Sequence, residues 1–345
     1  PRLGVTFDPR GDGRVLLSAS YGHYFEPFLQ QFVDSFSELD SFSGYTRYNW
    51  AGPATPGCDS SADPSNITSP CWINAQPVGF FGVQAAPPNP SVRRSWVQEV
   101  TAGFEQQLTA TTGVSLYFIQ RRWHHLWEDI PQHTFDSQGN QTGAIARILN
   151  LPEARRRYQA IELLVQKRFA DHWQLLGSYT HSKSEGNLFE DNGMTSFADF
   201  RGESDVNVVN RYGPAPYDRE HQIKVFSNYQ IPFERWNVSL GSSLRYESGV
   251  PYQMVTSDPL GFRFLTPRGS LRLPDVLQLD LALGTEVRLG NAVELETKLE
   301  VFNVTDEQRV LGAESLIDTG IFGKPRSIVD LQAPRSYRIT LGFRF

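Results

Sequence analysis

A chain of 345 residues, 39% hydrophobic, 12% aromatic and 20% charged, contains no run approaching the roughly 20 apolar residues that a membrane-spanning helix requires, which excludes a helical membrane protein. The net charge of -6 and pI near 5.7 argue against a nucleic-acid partner, because no basic block stands out beyond Arg155, Arg156 and Arg157, which read as an exposed strand start. A mean hydropathy of -0.38 leaves a transmembrane β-barrel open, since only every second residue of such a strand faces lipid.

Residues 1–8 read as a short strand, PRGDG as a turn, and 14–25 as its return, with Val15, Leu17, Ala19 and Tyr21 alternating against Leu16, Ser18, Ser20 and Gly22. A loop of roughly 70 residues follows, a length that in compact domains is functional or disordered. It holds Cys58 and Cys71, which read either as a disulfide suited to an oxidising periplasm or cell surface, or as two thiols. Segments 95–108 and 112–126 form a second hairpin, and 127–155 reads as another long loop. A third hairpin pairs 156–169, with Ile161, Leu163, Val165 and Phe169 on one side, with 172–184 across a turn at Ala170 and Asp171. The loop 185–217 leads to strands 218–231 and 236–248, then 275–289 and 293–304 joined at Gly290 and Asn291. In 335–345, RSYRITLGFRF, apolar Tyr337, Ile339, Leu341, Phe343 and Phe345 alternate with Arg338, Thr340, Gly342 and Arg344.

A strand so divided suits a wall between lipid and a wet interior, because an arginine at mid-depth in hydrocarbon costs roughly 2–4 kcal/mol. Short and long connections alternate, as expected when one rim faces the periplasm and the other the exterior. Strands of about 10–15 residues exceed the five or six usual in globular sheets and match a tilted membrane crossing. The expected fold is therefore all-β, an antiparallel transmembrane β-barrel segment of about 11 strands with long extracellular loops and short periplasmic turns. First and last strands both run toward the periplasmic rim and so are parallel, whereas an antiparallel barrel needs an even number. The segment is expected to be open, with unpaired edges, its beginning removed by processing or truncation ahead of Pro1.

PRLGVTFDPRGDGRVLLSASYGHYFEP, YQAIELLVQKRFADHWQLLGSYTHSKSEGN, YDREHQIKVFSNYQIPF and the ending LEVFNVTD … IFGKPRSIVDLQAPRSYRITLGFRF resemble the C-terminal half of TonB-dependent receptors, in particular the Oar-like subgroup. The resemblance covers nearly all the strands and none of the long loops. It implies half of a 22-stranded barrel, with 1–345 as the C-terminal part of that barrel and with plug and N-terminal strands absent. It implies a receptor and transporter that captures a ligand at the cell surface and imports it with TonB-supplied energy through the missing plug. The implied partners are outer-membrane lipid, the TonB complex, an unknown small-molecule, glycan or peptide ligand, and the barrel assembly machinery, whose signal Tyr337, Leu341, Phe343 and Phe345 resemble.

The chemistry legible in the residues is sparse. Loops on a rigid scaffold carry recognition, which points to Tyr45, Arg47, Tyr48 and Trp50 as ligand contacts or as local loop packing. His124, His125, Glu128 and Asp129 have metal-ligating types, but adjacent histidines on a strand point to opposite faces, and an interfacial girdle with Trp123 and Trp127 is the preferred reading. His181 with Ser182, or His221 with Asp218, supply hydrolase residue types without a nucleophile elbow. Glu294, Glu296 and Glu300 read as a charged lumen wall before they read as a cation filter. No cofactor and no enzymatic activity are expected. The alternatives are a non-transporting surface-binding or adhesion barrel and, more remotely, an outer-membrane lipase.

Overall fold

The computed structural model describes residues 1–25, 45–51, 58, 71–78, 83–85, 91–139, 141–189, 209–258, 261–289 and 293–345, with side chains at 45–50, 73–78, 83–85, 128–135, 141–148, 257–258, 261–262 and 289 outside that description. Its frame is a single antiparallel sheet in which neighbours in sequence are neighbours in space. The eleven wall strands are β1 (Arg2–Phe7), β2 (Val15–Phe25), β3 (Trp96–Gln107), β4 (Thr112–His124), β5 (Arg156–Ala170), β6 (Trp173–Gly186), β7 (His221–Pro232), β8 (Trp236–Glu247), β9 (Val276–Leu289), β10 (Val293–Phe302) and β11 (Ser336–Arg344). A two-residue strand, Gly213–Pro214, pairs with the end of β6. Among the described residues neither β1 nor β11 has a second partner, so the sheet is open, with the edges that the parity of its strands requires.

Cross-strand register sorts the residues by face. Phe7, Leu17, Phe104, Leu116, Leu163 and Tyr179 stand in one row, and Leu240, Leu283, Leu299 and Ile339 in another further along the sheet. The adjacent row on the other face reads Leu16, Glu105, Ser115, Leu164, Ser178, Lys224 and Arg245. The apolar rows are exposed, with Ile339 at 70% and Leu341 at 64%, values that in water would mark an aggregating surface and in a bilayer mark the lipid-facing belt. A soluble sandwich would bury these rows against a second sheet. Among the described residues no second sheet covers them.

Short turns close one rim. Asp8 accepts the amides of Arg10, Gly11 and Gly13 at 2.7–3.0 Å, and Gly11 and Gly13 take φ of 69° and 71°, a conformation that glycine adopts without strain. Those three amides hold the Asp8 carboxyl below its ordinary value. Asp171 and His172 both have positive φ, 52° and 67°, which is the two-residue hairpin geometry that matches strand twist, one residue beyond the expected turn. Lys167 bends back there, donating to the carbonyls of Ala170 at 2.7 Å and Trp173 at 3.1 Å with its ammonium 4.3 Å from the Trp173 ring centroid. A lysine on the lipid side is thereby tolerated, its charge satisfied at the rim.

Long connections occupy the opposite rim, and one differs from expectation. Residues 127–155 fold as a hairpin, Trp127–Phe135 against Gln141–Asn150, with Val83–Ala85 added in parallel, rather than as loop. Beyond the hydrocarbon no alternation of faces is enforced, so a strand there leaves no two-residue pattern. A cluster of buried residues also lies at this rim: Leu188, Arg211, Ala215, Asp218 and Val276 are at most 3% exposed. Because face determines cost, Leu163→Arg on the lipid side should lower folding stability by roughly 2–4 kcal/mol, whereas Leu164→Arg on the polar side should be nearly neutral. Urea titration of the heat-modifiable folded band in lipid vesicles measures both.

Candidate functional site

At the outer rim, YDREH, residues 217–221, leads into β7. Asp218, 3% exposed, accepts the backbone amide of Ser184 at 2.7 Å through one carboxylate oxygen and Arg272 at 2.8 Å through the other. Arg272 also reaches Glu220 at 2.9 Å and the carbonyl of Gly249 at 3.0 Å, while Arg219 pairs with Glu247 at 3.2 Å. The connections between β6 and β7 and between β8 and β9 are thus tied to each other and to the ends of β6 and β8. Nearby, Asp275 accepts from the Tyr246 hydroxyl at 2.6 Å and the Gly249 amide at 3.1 Å, and those two bonds hold its carboxyl below the ordinary range. Gly249 has no room for a side chain, since a Cβ would lie 1.7 Å from the Leu273 carbonyl oxygen.

Beside this network, on the polar side of the wall, arginines and aromatic rings interleave. The Arg156 guanidinium lies 4.3 Å from the Trp123 ring centroid and 6.0 Å from that of Phe189, and Arg156 donates to the Tyr217 hydroxyl at 2.7 Å. Arg268 stacks on Phe189 and Phe264 at 5.2 and 4.9 Å and donates to the Arg211 carbonyl. This surface, facing the interior of the wall at its outer mouth, suits planar or anionic polar groups better than aliphatic ones.

The candidates raised by the sequence distribute as follows. Tyr45, Arg47, Tyr48 and Trp50 lie on a strand, Tyr45–Trp50, paired with Trp72–Val78; their side chains fall outside the described residues. Cys58 and Cys71 stand beside that ribbon with sulfurs 2.16 Å and Cα atoms 5.2 Å apart. Tyr337, Leu341, Phe343 and Phe345 share the exposed lipid side of β11 and its end, at 61–93% exposure. Glu300 accepts from both Lys298 and Arg338, and Glu294 pairs with Arg344 at 3.2 Å, so cross-strand cations largely neutralise the acidic row. Only Glu296, opposite Glu286 and Gly342, stands with a like charge, beside a 150 Å³ cavity.

The girdle has a different membership from that expected. Trp123 faces the polar side under Arg156 and Trp127 is buried at 7%, whereas His124 stacks on Trp96 with centroids 4.1 Å apart. His125 leaves the strand with φ of 54° and also meets Trp96, edge-on at 6.4 Å, so the two histidines share a side. The hydrolase residue types do not converge. His181 and His221 stack at 4.8 Å on the lipid side, Ser182 donates across the sheet to the Arg219 carbonyl, and Asp218 is engaged as above. The Asp218 network was invisible in sequence because its partners lie 34 and 54 residues away. The crowding of Asp, Arg, Glu and His in YDREH was the one local hint.

An open antiparallel wall with an outward apolar belt, a polar inner side and loops sorted to one rim defines a bacterial outer-membrane barrel. The chain belongs to the outer membrane beta barrel domain family, whose model matches residues 1–249. It is 26% identical to the TonB-dependent transporter Oar of Myxococcus xanthus over 90% of this chain and 32% of Oar, so it spans about a third of that relative. In fold it is similar to the outer membrane transporter YddB of Escherichia coli, with a TM-score of 0.62 at 11% identity over 99% of this chain and 40% of YddB. A variant of the ferric enterobactin receptor PfeA of Pseudomonas aeruginosa gives 0.55 at 13% identity over 100% and 40%. The wall stands in the outer membrane of a Gram-negative cell. Replacing Asp218 with Ala leaves the Ser184 amide without its acceptor and removes one of the partners of Arg272, at a cost of about 1–3 kcal/mol. Amide exchange in residues 182–188 and 271–275 should then accelerate, while that of β1 to β3 stays unchanged.

Proposed function

We propose that the chain forms the C-terminal part of the barrel of a ligand-importing, TonB-dependent receptor. The observation that carries this reading is the pair of unpaired edges on a wall of eleven strands, in a chain similar to a TonB-dependent transporter over nine-tenths of its length. Backbone groups left open in hydrocarbon cost several kcal/mol each, so β1 and β11 need further strands, and an interior that wide needs a plug. The loops of the outer rim, with the arginine and aromatic surface at the mouth and the ribbon bearing Tyr45, Arg47, Tyr48 and Trp50, capture the ligand. The Cys58–Cys71 disulfide pins that ribbon, and the apolar side of β11 ending at Phe345 presents the outer-membrane assembly signal. The receptor performs no chemistry on its cargo.

The test is growth or uptake of candidate nutrients by a strain lacking the gene, compared with a strain lacking TonB. Uptake lost equally in both is the expected result; surface binding with no TonB-dependent uptake of any nutrient would favour the adhesion barrel and overturn the reading. Cys58→Ser combined with Cys71→Ser should leave the folded band intact but weaken binding of whichever nutrient is imported. A free-thiol titration of the wild type should find no reactive cysteine, and two reactive thiols would remove the disulfide.

A further inference from the structure

Every carboxylate on the wall strands save one lies on the polar side, and the exception sits among cations. Above the apolar row Ala19, Ala102, Phe118 and Ile161, the lipid side changes character within two register steps. The first step brings Gln120, Gln159 and Lys183 into one row, and the second brings His23, Gln98, Arg122, Arg157 and Glu185. Each step rises roughly 7 Å along the strands, so Lys183 stands about 7 Å and Arg122 and Arg157 about 13 Å along the wall beyond the Phe118 row, toward the outer headgroups.

Arg122 and Arg157 occupy directly opposed positions on β4 and β5, a juxtaposition of like charges that disfavours pairing unless something negative lies over it. Inside the chain the compensation is incomplete. Glu185 alone serves Arg157 and, at 2.8 Å, Lys183, while also accepting from Tyr212 at 3.2 Å. Gln120, with its amide oxygen turned inward, accepts from Arg122 at 3.1 Å but brings no charge. Three cations thus face one carboxylate among the described residues, and the side chains of Arg157 and Lys183 remain 56% and 60% exposed, with Arg122 exposed beside them.

We propose that this outward patch binds the phosphate groups of a phosphorylated glycolipid of the outer leaflet, with Arg122, Arg157 and Lys183 as the contacts. Charge complementarity selects the occupant: the patch directly continues a lipid-facing belt, so the anion it meets is carried on an acyl-chain anchor, and guanidinium groups take phosphate in bidentate fashion. The inference rests on the placement of the wall in the membrane and is independent of which cargo, if any, passes through the barrel.

The experiment uses the full-length protein in mild detergent, incubated with purified bis-phosphorylated lipid A, with the same lipid dephosphorylated, or with inorganic phosphate as competitor, and read by native mass spectrometry. Wild type is expected to retain the phosphorylated lipid and not the dephosphorylated one, undisturbed by inorganic phosphate. Arg122→Gln combined with Lys183→Gln should retain it roughly tenfold less or weaker still. Lys224→Gln, which removes a cation from the polar side of β7, should bind as wild type. Heat-modifiability confirms that each variant is folded, and Arg122→Gln alone, between neutral Gln98 and Gln120, carries the test should the double variant not fold. Equal retention by the Arg122 variant, equal loss in Lys224→Gln, retention of the dephosphorylated lipid, displacement by inorganic phosphate, or no retention by wild type would each overturn the proposal. Nutrient uptake that persists in the double variant would leave the transport reading standing whatever the lipid result.

Discussion

The rest of this structure depends on the cost of an unpaired backbone amide or carbonyl in hydrocarbon. Water is unavailable as a substitute partner there, so each strand must be hydrogen-bonded on both sides for as long as it crosses the bilayer. The eleven strands satisfy one another through an unbroken sequential ladder, and the demand reappears only at the two edges. Stability in such a wall does not come from a buried hydrophobic centre. Many of the described residues shielded from solvent lie at the outer rim, where connections fold down onto the strand ends, and much of the wall is exposed on its lipid side.

That division assigns different work to the two sides. On the lipid side, side chains match the solvent they meet: leucine, isoleucine and phenylalanine at mid-depth, then tyrosine, histidine and glutamine, then arginine and lysine. On the inner side, many charges are paired across strands, as in Glu300 with Arg338 and Glu99 with Arg121. Apolar residues interrupt this side at several points, among them Leu16, Ile119 and Leu164 and the register partners Leu176 and Phe226. Leu176 and Phe226 together form a small apolar island there.

Much of this was legible in the residues because the membrane imposes a strict two-residue period wherever a strand crosses it. The expected 156–169 is observed as Arg156–Ala170, 236–248 as Trp236–Glu247, and 275–289 as Val276–Leu289. The period ends where the hydrocarbon ends, and legibility ends with it. The hairpin formed by Trp127–Phe135 and Gln141–Asn150 read as loop, and Trp123 was placed in a lipid-facing girdle although register puts it opposite Val97 on the polar side. The rim network around Asp218 joins residues far apart in sequence, and no local pattern announces which arginine a buried carboxylate will find. At the outer mouth, the residue types suggested aromatic loops, whereas folding also brings Arg156 and Arg268 onto stacked rings, an arrangement that no spacing in the sequence announces.

The direction of the two boundary strands governs what can complete the wall. Both descend from the cell exterior, so a neighbour able to form antiparallel bonds with either must ascend. Two copies of this segment set side by side would place a descending strand against a descending strand at each seam, which forbids completion by simple duplication. Whatever seals the wall must begin and end with an ascending strand and therefore contribute an odd number of crossings, so the two halves of the finished cylinder are topologically unlike and cannot be exchanged.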